Sequence, residues 1–567
     1  MCGMSPAPVP PGTAPATPTD ARRSTLAALA GERFDVLVMG GGITGAGVAR
    51  EAALAGLRVA LVERSDFASG TSSRSSRLVH GGVRYLEHGH VGLVFESSRE
   101  RRLLLALAPH LVRPLAFTWP VYRGARVPRW KVRAGLLLYD ALALFRNVHR
   151  HEGLSRQQVL DAEPALDPDG LRGGARYWDA STDDSRLTLA NALSAQDAGA
   201  VVCNHVQVTG GIHEGARLAG VTALDVRTGD AFSIRARVVI NATGPWSDAT
   251  AALTGGDVPA TTRSQLRGSA GAHVSVPRHR LGNRDAITLV SPLDGRVMFV
   301  LPAGAHAIIG TTEGPAGRGP DEIRATVQDV QYLLQSVNRC FPFARLTTDD
   351  VLSAWCGIRP LAAARAGEQH ANAASREHAI AMRADGLVSM TGGKLTTYRA
   401  MAADVLSAAA RHHGLVLHPH TRARSEQTPL HGGELSSLAH AVAEAGAVAH
   451  DSAVGERLVH AYGNRWREVW SAVSSDATLG TRLSDQLPYL LGEVTHAVRY
   501  ELACTLADVL VRRTHLAFET RDHGRAAARR IAPRMQLLLG WSDEQVTREI
   551  AAYDSEVARL FTIDEHP

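Results

Sequence analysis

The sequence predicts an α/β protein with three parts. These are a Rossmann-type nucleotide-binding domain assembled from separated stretches, an inserted α+β domain, and a C-terminal all-α domain. Three observations carry this. A strand, glycine turn, helix and second strand follow one another over residues 34–64. Two more strand-to-glycine-turn units, at 236–246 and 386–406, lie about 200 and 350 residues further on, so a domain that uses all three must contain insertions. From about His412 onward glycine turns thin out and helical periodicity dominates.

Length agrees with this division, because 567 residues exceed what one hydrophobic core supports. The expected boundaries are a disordered tail over 1–31, a discontinuous nucleotide-binding domain within 32–410 (about 32–120, 185–250 and 350–410), insertions at about 121–184 and 251–349, and a helical domain over 411–567. The Pro/Ala/Thr-rich start is the reason for the tail. The apolar stretch after Arg22-Arg23 is short and runs straight into a strand, which argues against an export signal.

A net charge of +5 is mild, and no dense basic block with interleaved aromatics appears, so no nucleic-acid partner is expected. The five cysteines are scattered and odd in number, without a C-x-x-C pair, which fits a reducing compartment and neither a disulfide framework nor zinc. No run of about 20 apolar residues is present to form a spanning helix.

In the first unit, Phe34 to Met39 is an apolar strand and Gly40-Gly41-Gly42-Ile43-Thr44-Gly45 is G-x-G-x-x-G. Gly40 permits the tight turn, Gly42 lets a pyrophosphate approach the backbone, and Gly45 lets helix and strand pack closely. The pyrophosphate would sit on the helix N-terminus, where free N–H groups favour anions. Glu63, at the end of the second strand and 18 residues past Gly45, is placed to accept from ribose hydroxyls. The motif alone does not separate NAD from FAD, but its place at the start of the chain is common in FAD enzymes. The second unit supplies another tight approach at Ala242-Thr243-Gly244. In the third, Gly392-Gly393 and Lys394 are placed to face a flavin ring, and a helix opening at Leu395 would aim its positive end at the N1–C2=O edge.

"GGGITGAG", "TSSRSSRLVHGGVRYLE", "NATGPWSD", "GTTE", "GIRPL" and "TGGKLTTYR", in order along residues 34–410, resemble the FAD-dependent sn-glycerol-3-phosphate dehydrogenases. "RYELACTLADVLVRRTHLAF" is similar to that family's C-terminal cap. The resemblance implies a glutathione-reductase-type FAD domain. It also implies oxidation of sn-glycerol 3-phosphate to dihydroxyacetone phosphate, with electrons passed to membrane quinone.

It implies site residues too. Thr71, Ser72, His80, Gly81, Gly82 and Thr396 join the glycines and Lys394 around FAD. Arg84, Tyr85, Arg359 and Arg376 approach the substrate phosphate, for which planar, permanently charged guanidinium forks are suited. Loss of the C2 hydroxyl proton calls for a base, and His273 in "GAHVSVPR" is the candidate, with Arg359 beside it. The competing reading of His273 is a structural histidine on a strand. The segment "LRGSAGAH" departs from the family pattern: it is longer, and either Arg267 substitutes for the family's lysine or the segment has shifted. Glu313 replaces a common aspartate.

Residues 123–150 place basic side chains around "AGLLLYDALALF", with Trp130 and Tyr139 as amphipathic rings. The expectation is a helix lying on an anionic lipid surface at the cytoplasmic, inner face of the cell membrane. A core helix with a solvated basic flank is the alternative. For the C-terminal helices a lid, a homodimer surface and a partner contact stay open. A glycerol-3-phosphate oxidase that reduces oxygen is the nearest rival function; an FAD-dependent amine or amino-acid oxidase and a non-catalytic nucleotide sensor are more distant.

Overall fold

The computed structural model describes residues 17–565 except 84–85, 87–89, 145–146, 256–265 and 363–377, and omits the side chains of 267, 362 and 421. Of the expected tail 1–31, residues 1–16 lie outside the described residues, and 18–31 are helical. A helix, Pro18–Gly31, is capped by Thr17 with proline in its first turn. It is tied down by Leu29, which is fully buried, and by Arg22, which donates to Asp225 at 2.6 Å and to the Asn204 carbonyl at 3.0 Å. One of the twin arginines is therefore an anchor of the fold.

Among the described residues the nucleotide-binding domain centres on an eight-stranded sheet. Its middle is parallel: Arg33–Met39 lies between Val59–Val62 and Ala231–Asn241, with Val201–Cys203 and Val388–Gly392 outside them. Near-continuous apolar runs such as Val36, Leu37 and Val38 are buried because helices cover the sheet. The helix Ile43–Leu54 starts at Gly42, which has no side chain to cap it; Ser72 Oγ accepts the Ile43 N–H at 2.9 Å instead.

The inserted domain is built on a ten-stranded sheet, and here the expected boundaries shift. Strand Ser353–Ala362 was expected in the nucleotide-binding domain. It pairs instead with Leu266–Pro277 along its length, from Leu266 opposite Ala362 to Ser275 opposite Ser353. Strand Val112–Tyr122 joins the same sheet through Leu171–Thr182. The long ladders outweigh sequence proximity, so the nucleotide-binding piece resumes only at His378–Met382. The irregular stretch before His273 is a regular strand whose register sets His273 opposite Trp355.

The C-terminal domain is helical, with one small hairpin, Arg482–Ser484 with Leu487–Leu490, that the all-α expectation lacked. Its "RYELACTLADVLVRR" motif docks it. Asp66, fully buried after the second strand, accepts from Arg512 at 2.7 Å and from both terminal nitrogens of Arg513. Glu501 pairs with Arg186, and Asp508 with His205 at 2.9 Å. Removing one member of such a buried pair costs on the order of 3–5 kcal/mol, because its partner is left charged and unsolvated.

Candidate active site

A cavity of about 620 Å³ runs between the two sheets. Its lining includes Gly40, Gly42, Thr44, Glu63, Thr71 and Ser72, then His80, Gly82 and Gly392 to Thr396, and also His273, Thr311, Glu313 and Arg359. All three strand-to-glycine-turn units contribute to it, as a dinucleotide laid along the strand ends requires. The donors fit FAD. A Cβ built on Gly42 would meet Ser72 Oγ at 3.4 Å and nothing else within 4 Å, and Gly42, Ile43 and Thr44 line the cavity, so the backbone of this helix N-terminus borders it. The Glu63 carboxylate takes the Gly41 N–H at 2.7 Å and the Ser65 N–H at 2.9 Å, which fixes it at the rim, and burial pushes its pKa up.

Of the sequence-expected cofactor residues, Ala242, Thr243 and Gly244 line the cavity from the strand Ala231–Asn241. Gly392 and Gly393 adopt positive φ of 80° and 85°, which turns the chain into Lys394 and the short helix Leu395–Thr397. Lys394 and Lys131 are the only lysines among 61 basic residues. Thr396 Oγ1 bridges the His80 N–H and carbonyl, both at 3.2 Å, so two distant motifs share one wall. Gly45 and Gly81 do not line the cavity; they sit behind it. A Cβ on Gly45 would lie 1.8 Å from the Gly40 carbonyl oxygen, and one on Gly81 would lie 2.2 Å from the Tyr139 hydroxyl.

The strand pair brings His273 and Arg359 into the same lining. The His273 ring is 2% exposed and stacks on Trp355 at 5.4 Å and 10°. Its Nε2 is 2.8 Å from Ser76 Oγ. Burial lowers its pKa to about 3, helped by Arg359 and Arg77. It is therefore neutral near pH 7 and can accept a proton, but it is far less basic than the near-neutral histidine that a general base calls for. Arg359 donates to Thr311 Oγ1 at 3.1 Å and lines the cavity. Arg84, Tyr85, Arg376 and the Arg267 side chain lie outside the described residues. Glu313 lines the rim, where its carbonyl holds Arg296 at 2.8 Å. Ser76, Trp355 and Thr311 were missed. The quoted "TSSRSSR" and "GTTE" motifs could have flagged Ser76 and Thr311; nothing local marks Trp355.

The family described as "FAD dependent oxidoreductase" matches residues 35–399, and "C-terminal domain of alpha-glycerophosphate oxidase" matches 423–546. The chain is 39% identical over 534 residues to glycerol-3-phosphate dehydrogenase 2 of Mycobacterium bovis, with 93% of this chain and 88% of that protein covered. The chain belongs to the FAD-dependent glycerol-3-phosphate dehydrogenase family. To the human mitochondrial glycerol-3-phosphate dehydrogenase it is 35% identical over 548 residues, covering 93% of this chain and 73% of that one. Among solved structures, the glycerol-3-phosphate dehydrogenase of Bacillus halodurans complexed with FAD superposes with a TM-score of 0.78 at 29% identity, over 96% of this chain and 98% of the other. The protein is an FAD-dependent enzyme of this family.

The surface helix corrects one reading. Helix Arg129–Leu142 exposes Trp130, Leu137 and Leu138 but buries Leu136, Tyr139 and Asp140. Tyr139 is not an interfacial ring. Its hydroxyl donates to Asp179 in the cavity wall at 2.7 Å and accepts from Arg101 at 2.8 Å. Spacing of three and four residues from Leu136 puts it on the inner face. Phe145 lies outside the described residues.

Proposed function

We propose that the enzyme oxidises sn-glycerol 3-phosphate at C2 to dihydroxyacetone phosphate and hands the electrons to a membrane quinone from the inner face of the cell membrane. The observation that carries the chemistry is the juxtaposition of a buried neutral His273 and the Arg359 guanidinium in the lining of the FAD cavity. Bound FAD supplies the hydride acceptor at its N5. The Gly40–Gly42 turn and the helix N-terminus after it hold the pyrophosphate, Glu63 the ribose, and Gly392 to Thr396 the flavin side. Arg359, with Arg84 and Arg376, takes the phosphate dianion. His273 takes the C2 hydroxyl proton, and Ser76 fixes its ring.

The quinone half of the reading rests on a surface. Trp130, Leu137, Leu138 and Leu144 are exposed, with Val91 and Phe95 on the neighbouring helix Val91–Leu107, and Arg126, Lys131 and Arg133 beside them. An apolar face rimmed by cations suits an anionic lipid surface. Among the described residues no helix is long and apolar enough to cross a membrane. The oxidase reading draws on the name of the family that matches 423–546.

The test is Arg359→Lys. A point charge in place of the fork should weaken sn-glycerol 3-phosphate binding by about 1.5–3 kcal/mol, the scale of a lost charge-assisted hydrogen bond. The variant should leave glycerol, already a poor substrate, unchanged. Equal loss with both would sink the phosphate assignment.

A further inference from the structure

The face of the strand pair that carries His273 continues for one more register step. His273 lies opposite Trp355, and Ser275 opposite Ser353. Because side chains alternate along a strand, all four point to the same side. What covers them comes from the C-terminal domain. The segment around the short helix Leu516–Glu519 sets the Phe518 ring edge-on to Trp355, at 5.2 Å and 87°. Its backbone carbonyl accepts from Ser353 Oγ at 2.9 Å and from Ser275 Oγ at 3.3 Å, and these two hydroxyls are 2.8 Å apart.

Three residues earlier, His515 sets Nε2 at 2.9 Å from Asp183, the residue that caps the helix Asp184–Asp197. The next residue, Asp184, holds Ser75 by its N–H at 3.2 Å and its hydroxyl at 2.6 Å. Ser75 neighbours Ser76, the partner of His273 Nε2. Arg77 lies 5.0 Å above the Phe518 ring and 6.0 Å from that of Trp355.

The two supports of the His273 ring, its stacking face and its Nε2 partner, thus both lead to residues 515–518. Ordinary apolar packing would not require two buried hydroxyls spent on one foreign carbonyl. Such bonds fix orientation as well as distance. We propose that the C-terminal domain positions the catalytic base, with Phe518 as the buttress of the His273–Trp355 stack. This rests on His273 being the base. It assigns the C-terminal domain a part in the chemical step. Phe518 touches neither substrate nor flavin in this scheme; it is a positioning residue that acts through Trp355.

The experiment is anaerobic stopped-flow reduction of the FAD-loaded enzyme over a range of sn-glycerol 3-phosphate concentrations, which separates the limiting rate from the substrate Kd. Phe518→Ala should lower the limiting rate at least tenfold, change Kd less than threefold and leave FAD content at the parent level. Phe518→Met, which refills the space against Trp355, should recover most of the rate. Since Phe518→Ala risks the fold, the double variant Ser275→Ala/Ser353→Ala is measured too. It frees the Phe518 carbonyl without opening a large cavity, and the same split is expected. His273→Asn separates the two levels. If it reduces flavin at the parent rate, the base assignment falls and this inference with it. If it is crippled while the folded Phe518 and serine variants run at the parent rate, the inference alone is overturned. A Kd that rises in step with the rate loss would also overturn it.

Discussion

Gly271 lies against Arg359 so closely that a Cβ on Gly271 would fall 2.5 Å from the arginine's Nη2 and 2.7 Å from Thr311 Oγ1. The missing side chain is what lets the guanidinium lie along the strand and reach into the cavity. Gly271→Ala should displace Arg359 and raise the Kd for sn-glycerol 3-phosphate by about tenfold, or about 1.4 kcal/mol. FAD content should hold, since the glycine lies against Arg359. A titration showing parent affinity would mean that Arg359 does not need this pose.

The second and third glycines of the first motif should fail differently. A Cβ on Gly45 meets the Gly40 carbonyl at 1.8 Å, so Gly45→Ala should lower Tm sharply or prevent folding. Around Gly42 there is room for a Cβ, but valine methyls would enter the pyrophosphate channel. Gly42→Val should purify folded and colourless. Absorbance at the flavin band together with a melting curve checks both, and a yellow Gly42→Val at full occupancy would refute the assignment.

Much of this was legible in the sequence because it is local. The G-x-G-x-x-G turn, the strand before it and the Gly392-Gly393 bend each need particular residues at neighbouring positions, so periodicity and glycines reveal them. The stack at His273 is not local. Its members at 76, 273, 355 and 518 meet through strand register and domain docking, and no short window contains two of them. Tyr139 misled for another reason. Its chemistry suits an interface, but its helical phase with Leu136 turns it inward, onto Asp179. The tail was misjudged because an alanine-rich stretch looks featureless until Leu29 and Arg22 find their partners.

Acid should destabilise the protein well above the range where carboxylates titrate. Burial lowers the pKa of His110, His273 and His460 to about 3, and of His306 and His496 to about 4. Each ordinarily titrates near 6.5, so below that pH the unfolded chain binds protons that the folded one refuses. Stability is present above about pH 6.5 and is lost as pH falls toward 4. Glu163, raised by burial to about 7, works in the opposite sense, as do Glu51, Glu63, Glu96 and Asp184, whose carboxyls burial raises from ordinary values near 4. Tm of the FAD-loaded enzyme should drop between pH 7 and pH 5; a flat profile would contradict the burial of these rings.

The lysine scarcity gives a direct probe of the surface helix. Lys131 sits among the exposed apolar residues of helix Arg129–Leu142, and Lys394 lines the cavity. Anionic vesicles should protect Lys131 from amine-reactive labelling, while FAD removal, not vesicles, should change labelling at Lys394. Replacing Trp130, Leu137 and Leu138 by serine should abolish Lys131 protection and leave flavin reduction intact. The electrostatic share of binding, about 1 kcal/mol per nearby cation, should weaken in 1 M salt. Unchanged labelling of Lys131 with vesicles would leave the patch without a lipid role.

The central claim is that this cavity couples sn-glycerol 3-phosphate to flavin and passes the electrons to quinone. It is tested most directly by adding the substrate anaerobically to the yellow enzyme, then admitting a quinone analogue and oxygen in separate experiments. The account predicts bleaching with sn-glycerol 3-phosphate but not with glycerol at the same concentration, and reoxidation that is fast with the quinone analogue and slow with oxygen. A flavin that stays oxidised with the phosphate ester, or bleaches equally with glycerol, would contradict the substrate assignment. Fast reoxidation by oxygen with none by the quinone would hand the reaction to the oxidase reading.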